Sequence, residues 1–235
     1  MKTIALLIAL IGLGVQAGTP IETLVPVDEI YAPEGFDAND NSEIIVSGFL
    51  PNLCHKSPMV KSEVKNKVIN VTVSALKYDA SNPFCPEMVV PFLQSVKVGI
   101  LDKGNYQILV NGKSPYEKKS NIKISESVSN ALDDHIYANV SYVDDAQDGS
   151  SNIKLKGYNP SDCLVLEKVE FVSNKSNTLS VLPIMKKIRD FCPMKMSPFS
   201  YDVEVPELLP NKNKVLLHVR GMDGASVNSL LHVEN

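Results

Sequence analysis

The residues able to do chemistry in this chain are few. Four cysteines stand at 54, 85, 163 and 192, and four histidines, His55, His135, His218 and His232, are scattered along the sequence. Cysteines in this number fit either two disulfides or a zinc site, but neither pair has CxxC spacing, and His55 has no counterpart beside the later cysteines. The histidines supply no obvious general base, since each reads as a surface residue in a loop or beside a strand. No G-x-S-x-G, HExxH or phosphate-cradling glycine loop occurs, so the expectation is a protein that is not an enzyme.

Two acidic strings are the remaining candidates. Asp37, Asn39, Asp40 and Asn41, followed by Glu43, cluster the carboxylate and amide oxygens that calcium requires. Asp144, Asp145 and Asp148 sit at the matching turn further on. The first string resembles the Asp-x-Asn-Asp-Asn run of cadherin linkers over five residues. Solvated hairpin turns explain both strings more simply, because Asp, Asn and Gly are ordinary turn residues; calcium is the testable alternative, and no other cofactor is expected.

What must position these residues is a duplicated unit. Ser47-Gly48-Phe49-Leu50-Pro51-Asn52-Leu53-Cys54 returns as Lys156-Gly157-Tyr158-Asn159-Pro160-Ser161-Asp162-Cys163, and Phe84-Cys85-Pro86 returns as Phe191-Cys192-Pro193. Pro91-Phe92 answers Pro198-Phe199, Val110-Asn111-Gly112 answers Val219-Arg220-Gly221, and the run from Ser120 to Ile124 answers that from Ser229 to Val233. At the front, Glu29-Ile30-Tyr31-Ala32 is matched with His135-Ile136-Tyr137-Ala138, and Phe36 with Tyr142. An internal repeat must be read before anything local. It divides the chain into residues 18–126 and 127–235, with a polar hinge at 125–134.

Each copy reads as strands. Ile69, Val71, Val73 and Ala75 alternate with Asn70, Thr72 and Ser74, the period of a strand packed on one side. Tyr106, Ile108 and Val110 alternate likewise, as do Val215, Leu217 and Val219. Turn residues recur at intervals of roughly 8 to 12, and no window holds a helical period, which predicts two tandem immunoglobulin-like β-sandwich domains in preference to one large barrel. Treating both copies alike pairs Cys54 with Cys85 and Cys163 with Cys192, each bridge closing a loop of about 30 residues. The shared Phe-Cys-Pro phrase is then either a core-packing corner or a binding edge carrying Met88, Val89, Val90, Met194 and Met196. Its repetition favours the corner.

Residues 1–17, one lysine followed by an apolar run and Val15-Gln16-Ala17, read as a secretory signal peptide too short to span a bilayer. No later run is long enough either, so the expected location is the periplasm or outside the cell. The chain carries 27 acidic against 23 basic residues, and Arg189 and Arg220 are its arginines, which argues against a nucleic-acid partner. Sequons at Asn70, Asn139 and Asn174 lie in or near predicted strands. Lys118-Lys119 and Lys186-Lys187 read as solvated faces.

Gly-aromatic-x-Pro-x-x-Cys, the later Phe-Cys-Pro, and the closing strand of residues 106–112 resemble exported bacterial domains with an immunoglobulin-like sandwich. The resemblance implies a fold and a compartment but no functional residues. Arg220 stands where the first copy has Asn111, which removes that asparagine from any role common to both. The functional expectation is a non-enzymatic binding or structural module of the bacterial envelope with a protein or glycan ligand. The alternatives are a calcium-assisted adhesion domain and a secreted hydrolase or inhibitor.

Overall fold

The computed structural model describes residues 19–78, 84–145, 152–206 and 214–232. Within them the chain is all-β, apart from one short 3-10 turn at Met222–Gly224. The first half lays down β1 (Ile21–Leu24), β2 (Val27–Tyr31), β3 (Phe36–Asp37), β4 (Asn41–Leu50), β5 (His55–Lys65), β6 (Val68–Lys77), β7 (Val90–Ile100), β8 (Gly104–Val110) and β9 (Lys118–Ser125). The second adds β10 (Ile136–Tyr137), β11 (Val140–Asp145), β12 (Asn152–Asn159), β13 (Leu164–Ser173), β14 (Thr178–Lys187), β15 (Ser197–Glu204), β16 (Lys214–Arg220) and β17 (Ser226–His232).

The strands form two sandwiches. In the first, the small sheet β2-β4-β7 faces a larger one in which β6 pairs β5 along one edge and β1 and β8 in series along the other, continued by β9 and β3. The second repeats the plan, with β11-β12-β15 against β13, β14, β10, β16 and β17. Among the described residues no strand pairing joins the two halves. Ile69, Val71, Val73 and Ala75 are at most 2% exposed in the first core, while Val215, Leu217 and Val219 are buried in the second. The alternation puts one face of each strand inward, and apolar burial at about 25 cal/mol per Å2 makes that arrangement the stable one. Cys54–Cys85 and Cys163–Cys192 close one bridge in each sandwich.

The glycines of the repeated phrase fix how the neighbouring strands of each small sheet sit against β4 and β12. A Cβ on Gly48 would strike the Pro26 carbonyl oxygen and lie 2.7 Å from Phe92; one on Gly157 would strike the Asn139 carbonyl oxygen and lie 2.9 Å from Phe199. These contacts correct the repeat alignment at its start. Val27 pairs with Gly48 as Val140 pairs with Gly157, so β2 corresponds to β11 and Leu24 to Tyr137. The match of residues 29–32 with 135–138, and of Phe36 with Tyr142, is therefore wrong.

Asn111 has a structural task in the first copy. Where β8 ends and β1 begins, β6 loses its neighbour, and the buried Asn111 fills the gap. Its backbone N–H donates to Val71 O at 2.8 Å, its Oδ1 accepts from Val73 N at 2.7 Å, and its Nδ2 donates to Val25 O at 3.1 Å. In the second copy the residue corresponding to Val73 is Pro183, whose carbonyl still accepts from Ala138 N. Proline has no N–H to satisfy. The side chain at the end of β16 is thereby released for another use, and it is Arg220.

Candidate functional site

The two sandwiches meet face to face. Tyr31, Ile45 and Leu93, on the outer face of β2-β4-β7, pack against Leu216 and Leu230 on the outer face of β16 and β17. β4 and β16 are buried on both sides, because alternate residues serve the core and the seam in turn: Ile44 and Val46 face inward while Ile45 faces the partner sandwich, and Val215 and Leu217 face inward while Leu216 faces it. At one end the 174–177 turn docks on β2, where Asn174 Nδ2 donates to Ala32 O at 3.2 Å and Asn177 Nδ2 to Ile30 O at 3.1 Å.

Arg220 closes the other end. Its Nη1 donates to Gly35 O at 2.9 Å and to Asp40 Oδ2 at 2.8 Å, and its Nη2 meets Asp40 Oδ1 at 2.8 Å and Asp133 Oδ2 at 2.9 Å. The guanidinium lies between the rings of Phe36, 5.1 Å away, and Tyr137, 4.7 Å away. A planar guanidinium that meets both oxygens of a carboxylate, reaches a second carboxylate and stacks on aromatics does what lysine cannot. Burial pushes the Asp133 carboxyl up despite the guanidinium beside it, and pushes the Tyr137 phenol up as well.

The acidic string expected to offer calcium oxygens lies in this clamp. Asp40 is fully buried and holds Arg220 and the Asp37 N–H. Asn39 Nδ2 donates to Ala131 O at 3.0 Å and Asp134 Oδ1 at 2.9 Å, tying the turn to the linker. Burial, followed by the charges of Asp40 and Asp134, raises the Asp37 carboxyl. Asn41 opens β4 at the surface. Asp144 pairs with Lys156 in the second sandwich, so the structure does not bring it to the first string. Asp148 lies outside the described residues, as do the side chain of Asp145 and residues 1–17. Among the described residues no group of three His, Cys, Asp or Glu side chains is arranged to hold a metal ion. The linker expected as a hinge is bound down: Asp134 accepts from Val128 N at 2.7 Å and from Ser129 N at 3.0 Å, and these bonds hold its carboxyl down to about 2.

His218 corrects the reading of surface histidines. It is 1% exposed, packed on Phe36, and part of a network that crosses the seam. Glu43 accepts from Ser95 Oγ at 2.5 Å, from Ser226 Oγ at 2.7 Å and from Asn228 Nδ2 at 2.8 Å. With the amide nitrogen of Asn228 so used, its Oδ1 must accept, and the Nδ1–H of His218 donates to it across 2.8 Å. Nε2 is then the bare nitrogen, buried and without a partner. His55 is also buried, with Nδ1 2.8 Å from Asn52 Oδ1, whereas His135 is exposed and the side chain of His232 lies outside the described residues.

Burial holds His218 below the ordinary imidazole range, against the pull of Asn228 and Glu43. The unfolded chain then binds a proton that the folded chain refuses, so stability falls as pH drops through the usual imidazole value of about 6.5. Denaturant titrations at pH 7 and pH 5 are expected to show a loss in the natural protein that is reduced in His218→Gln. Equal losses in both would show that His218 does not carry it.

The bridge loops depart from the corner expectation. In place of core packing, Phe84, Met88 and Val89 are 84%, 58% and 59% exposed, and Phe191, Met194 and Met196 are 82%, 93% and 65% exposed. Each group surrounds a disulfide that fixes its loop to the neighbouring strand: Leu53 N donates to Pro86 O at 3.2 Å, and Lys195 N to Pro160 O at 2.9 Å. A third feature is a polar groove of about 420 Å3 lined by Asp28, Glu29, Glu34, Lys118, Lys119 and Ser176.

Fold and surfaces together define a β-sandwich protein. Residues 44–122 match the family model of the ORF11 beta-sandwich domain, a stretch that covers the first sandwich from β4 into β9. No curated protein and no solved structure matches the chain. No helix among the described residues is long and apolar enough to cross a membrane.

Proposed function

We propose that this chain is an exported, non-catalytic binding module of a bacterial envelope, built as two immunoglobulin-like sandwiches that present their bridge loops for recognition. The observation that carries the reading is the repeated exposure of phenylalanine and methionine beside both disulfides. Large apolar side chains held in water by a covalent clasp contribute nothing to either core, and clustered exposed apolar groups mark interaction sites. A clasped loop also loses little conformational freedom on binding.

The non-catalytic part of the reading is supported by where the unusual polar groups sit. Arg220, Asp40, Glu43 and His218 are buried at the seam, where Arg220 bonds Asp40 and Asn228 bonds both Glu43 and His218. The export part is supported by the leader-like sequence of residues 1–17 and by two disulfides, which persist in oxidising compartments.

Photo-crosslinking tests it. A photoreactive residue at 84 or 194 is expected to give discrete adducts in the cells that make the protein, while one at the exposed position 72 in β6 gives none. Adducts of equal yield at all three positions, or at none, would overturn the assignment of recognition to the bridge loops.

A further inference from the structure

The two bridge loops point away from each other. β4 runs from Asn41 toward the Cys54–Cys85 bridge, and β16 runs parallel to β14 toward the Cys163–Cys192 bridge, where Ile188 N donates to Cys163 O at 3.0 Å. Across the seam Asp40 meets Arg220, Glu43 meets Ser226 and Asn228, and Ile45 meets Leu216. Rising numbers in β4 thus meet falling numbers in β16, so the strands are opposed and the bridges lie at opposite ends of the pair. A flat surface can meet one of them at a time.

The ends differ in charge. Around the second bridge stand Lys186, Lys187, Arg189 and Lys195, all exposed, against Asp162 and Asp190. The pairs of Asp162 with Arg189, at 3.4 Å, and with Lys195, at 3.7 Å, are long and solvated, and such pairs hold their partners weakly. Around the first bridge the described basic residues are Lys56 and Lys77, beside Glu87. Within a chain of formal net charge -4, the second end combines a basic rim with Ile188, Phe191, Met194 and Met196, which are 50–93% exposed.

Apolar tips ringed by cations match one kind of surface, an acyl interior beneath anionic headgroups. We propose that residues 186–196 form a membrane-docking tip that seats Phe191, Met194 and Met196 in a bilayer carrying anionic lipid and places the four cations at its headgroups. The first bridge loop then faces away from that membrane. Phenylalanine and the unbranched methionines adapt to acyl chains without a preformed pocket. The inference rests on the bridge loops being recognition elements and names what one of them meets.

The chain has no tryptophan, so Phe191→Trp gives a single reporter. With the disulfide-bonded protein and vesicles of phosphatidylcholine plus phosphatidylglycerol, the expected result is a blue shift of its emission and co-flotation that weakens as salt rises. The variant Phe191→Ser/Met194→Ser/Met196→Ser is expected to melt like the natural protein and to partition about tenfold less or weaker. Phe84→Ser/Met88→Ser, at the opposite end, is expected to partition unchanged. Absence of flotation, flotation indifferent to the 191–196 substitutions, or a dimer that forms without lipid and is lost in that variant would each overturn the membrane assignment. Discrete protein adducts from position 194 with no vesicle binding would remove this inference and leave the proposed function standing. Silence in both experiments would remove both.

Discussion

Arg220→Met is expected to lower stability by about 3–5 kcal/mol, because it leaves the buried Asp40 carboxylate without its countercharge. For a chain of this size that corresponds to a fall in melting temperature of roughly 10 °C. The side chain of Asp40 is 0% exposed, so no water replaces the guanidinium's hydrogen bond and ion-pair contact. Asp133 is 21% exposed and can turn to solvent, which makes Asp40 the larger part of the loss. The substitution also removes the cation held between Phe36 and Tyr137 and loosens the seam. Proteolysis within residues 126–135 is therefore expected to accelerate. The double variant Asp40→Asn/Arg220→Met buries no unpaired charge and is expected to recover most of the stability. A single variant that melts within a degree or so of the natural protein would show that the clamp is not what joins the sandwiches.

The repeat was legible in sequence wherever the core or the covalent bridge demanded a residue type. Gly48 and Gly157 admit no Cβ, the cysteines must pair, and the inward positions of β6, β8 and β16 must be apolar; identity and period survive in those places. The alignment failed at residues 29–32 for a physical reason. Tyr31 and Tyr137 look like the same residue, yet each is buried at the seam for its own purpose, Tyr31 against Leu216 and Tyr137 beneath Arg220. The anchor of the true register is a backbone carbonyl, at Pro26 and Asn139, and carbonyls carry no sequence signature.

The seam itself was readable as divergence between copies. Tyr31 and Ile45 correspond in the second sandwich to Asp144 and Lys154, while Leu216 and Leu230 correspond in the first to Gln107 and Asn121. One copy is apolar on the outside of its small sheet and the other on the outside of its large sheet, which is the pattern of two unlike faces buried against each other. The bridge loops lie outside what repetition can decide, because repetition alone cannot separate a residue that every core needs from one that every surface keeps. Exposure decides between them, and exposure is set by the loop's path.

Asn111→Ala is expected to cost about 3–5 kcal/mol, close to the effect of losing the clamp. Two buried backbone groups, Val73 N–H and Val25 C=O, lose their partners, and each such orphan costs about 1–3 kcal/mol. Asn111 also sits at φ 47°, a left-handed conformation that asparagine tolerates and alanine resists by about 1 kcal/mol. The variant Asn111→Gly separates these terms: it relieves the backbone but restores neither bond, so it should recover about 1 kcal/mol and no more. Asn111→Arg, which places the second copy's residue in the first, is expected to be as damaging as alanine. The second copy tolerates arginine there because Pro183 presents no N–H, and Val73 does. If Asn111→Arg unfolds at the same denaturant concentration as the natural protein, the gap in β6 is closed by something else, and Pro183 did not release this position for Arg220.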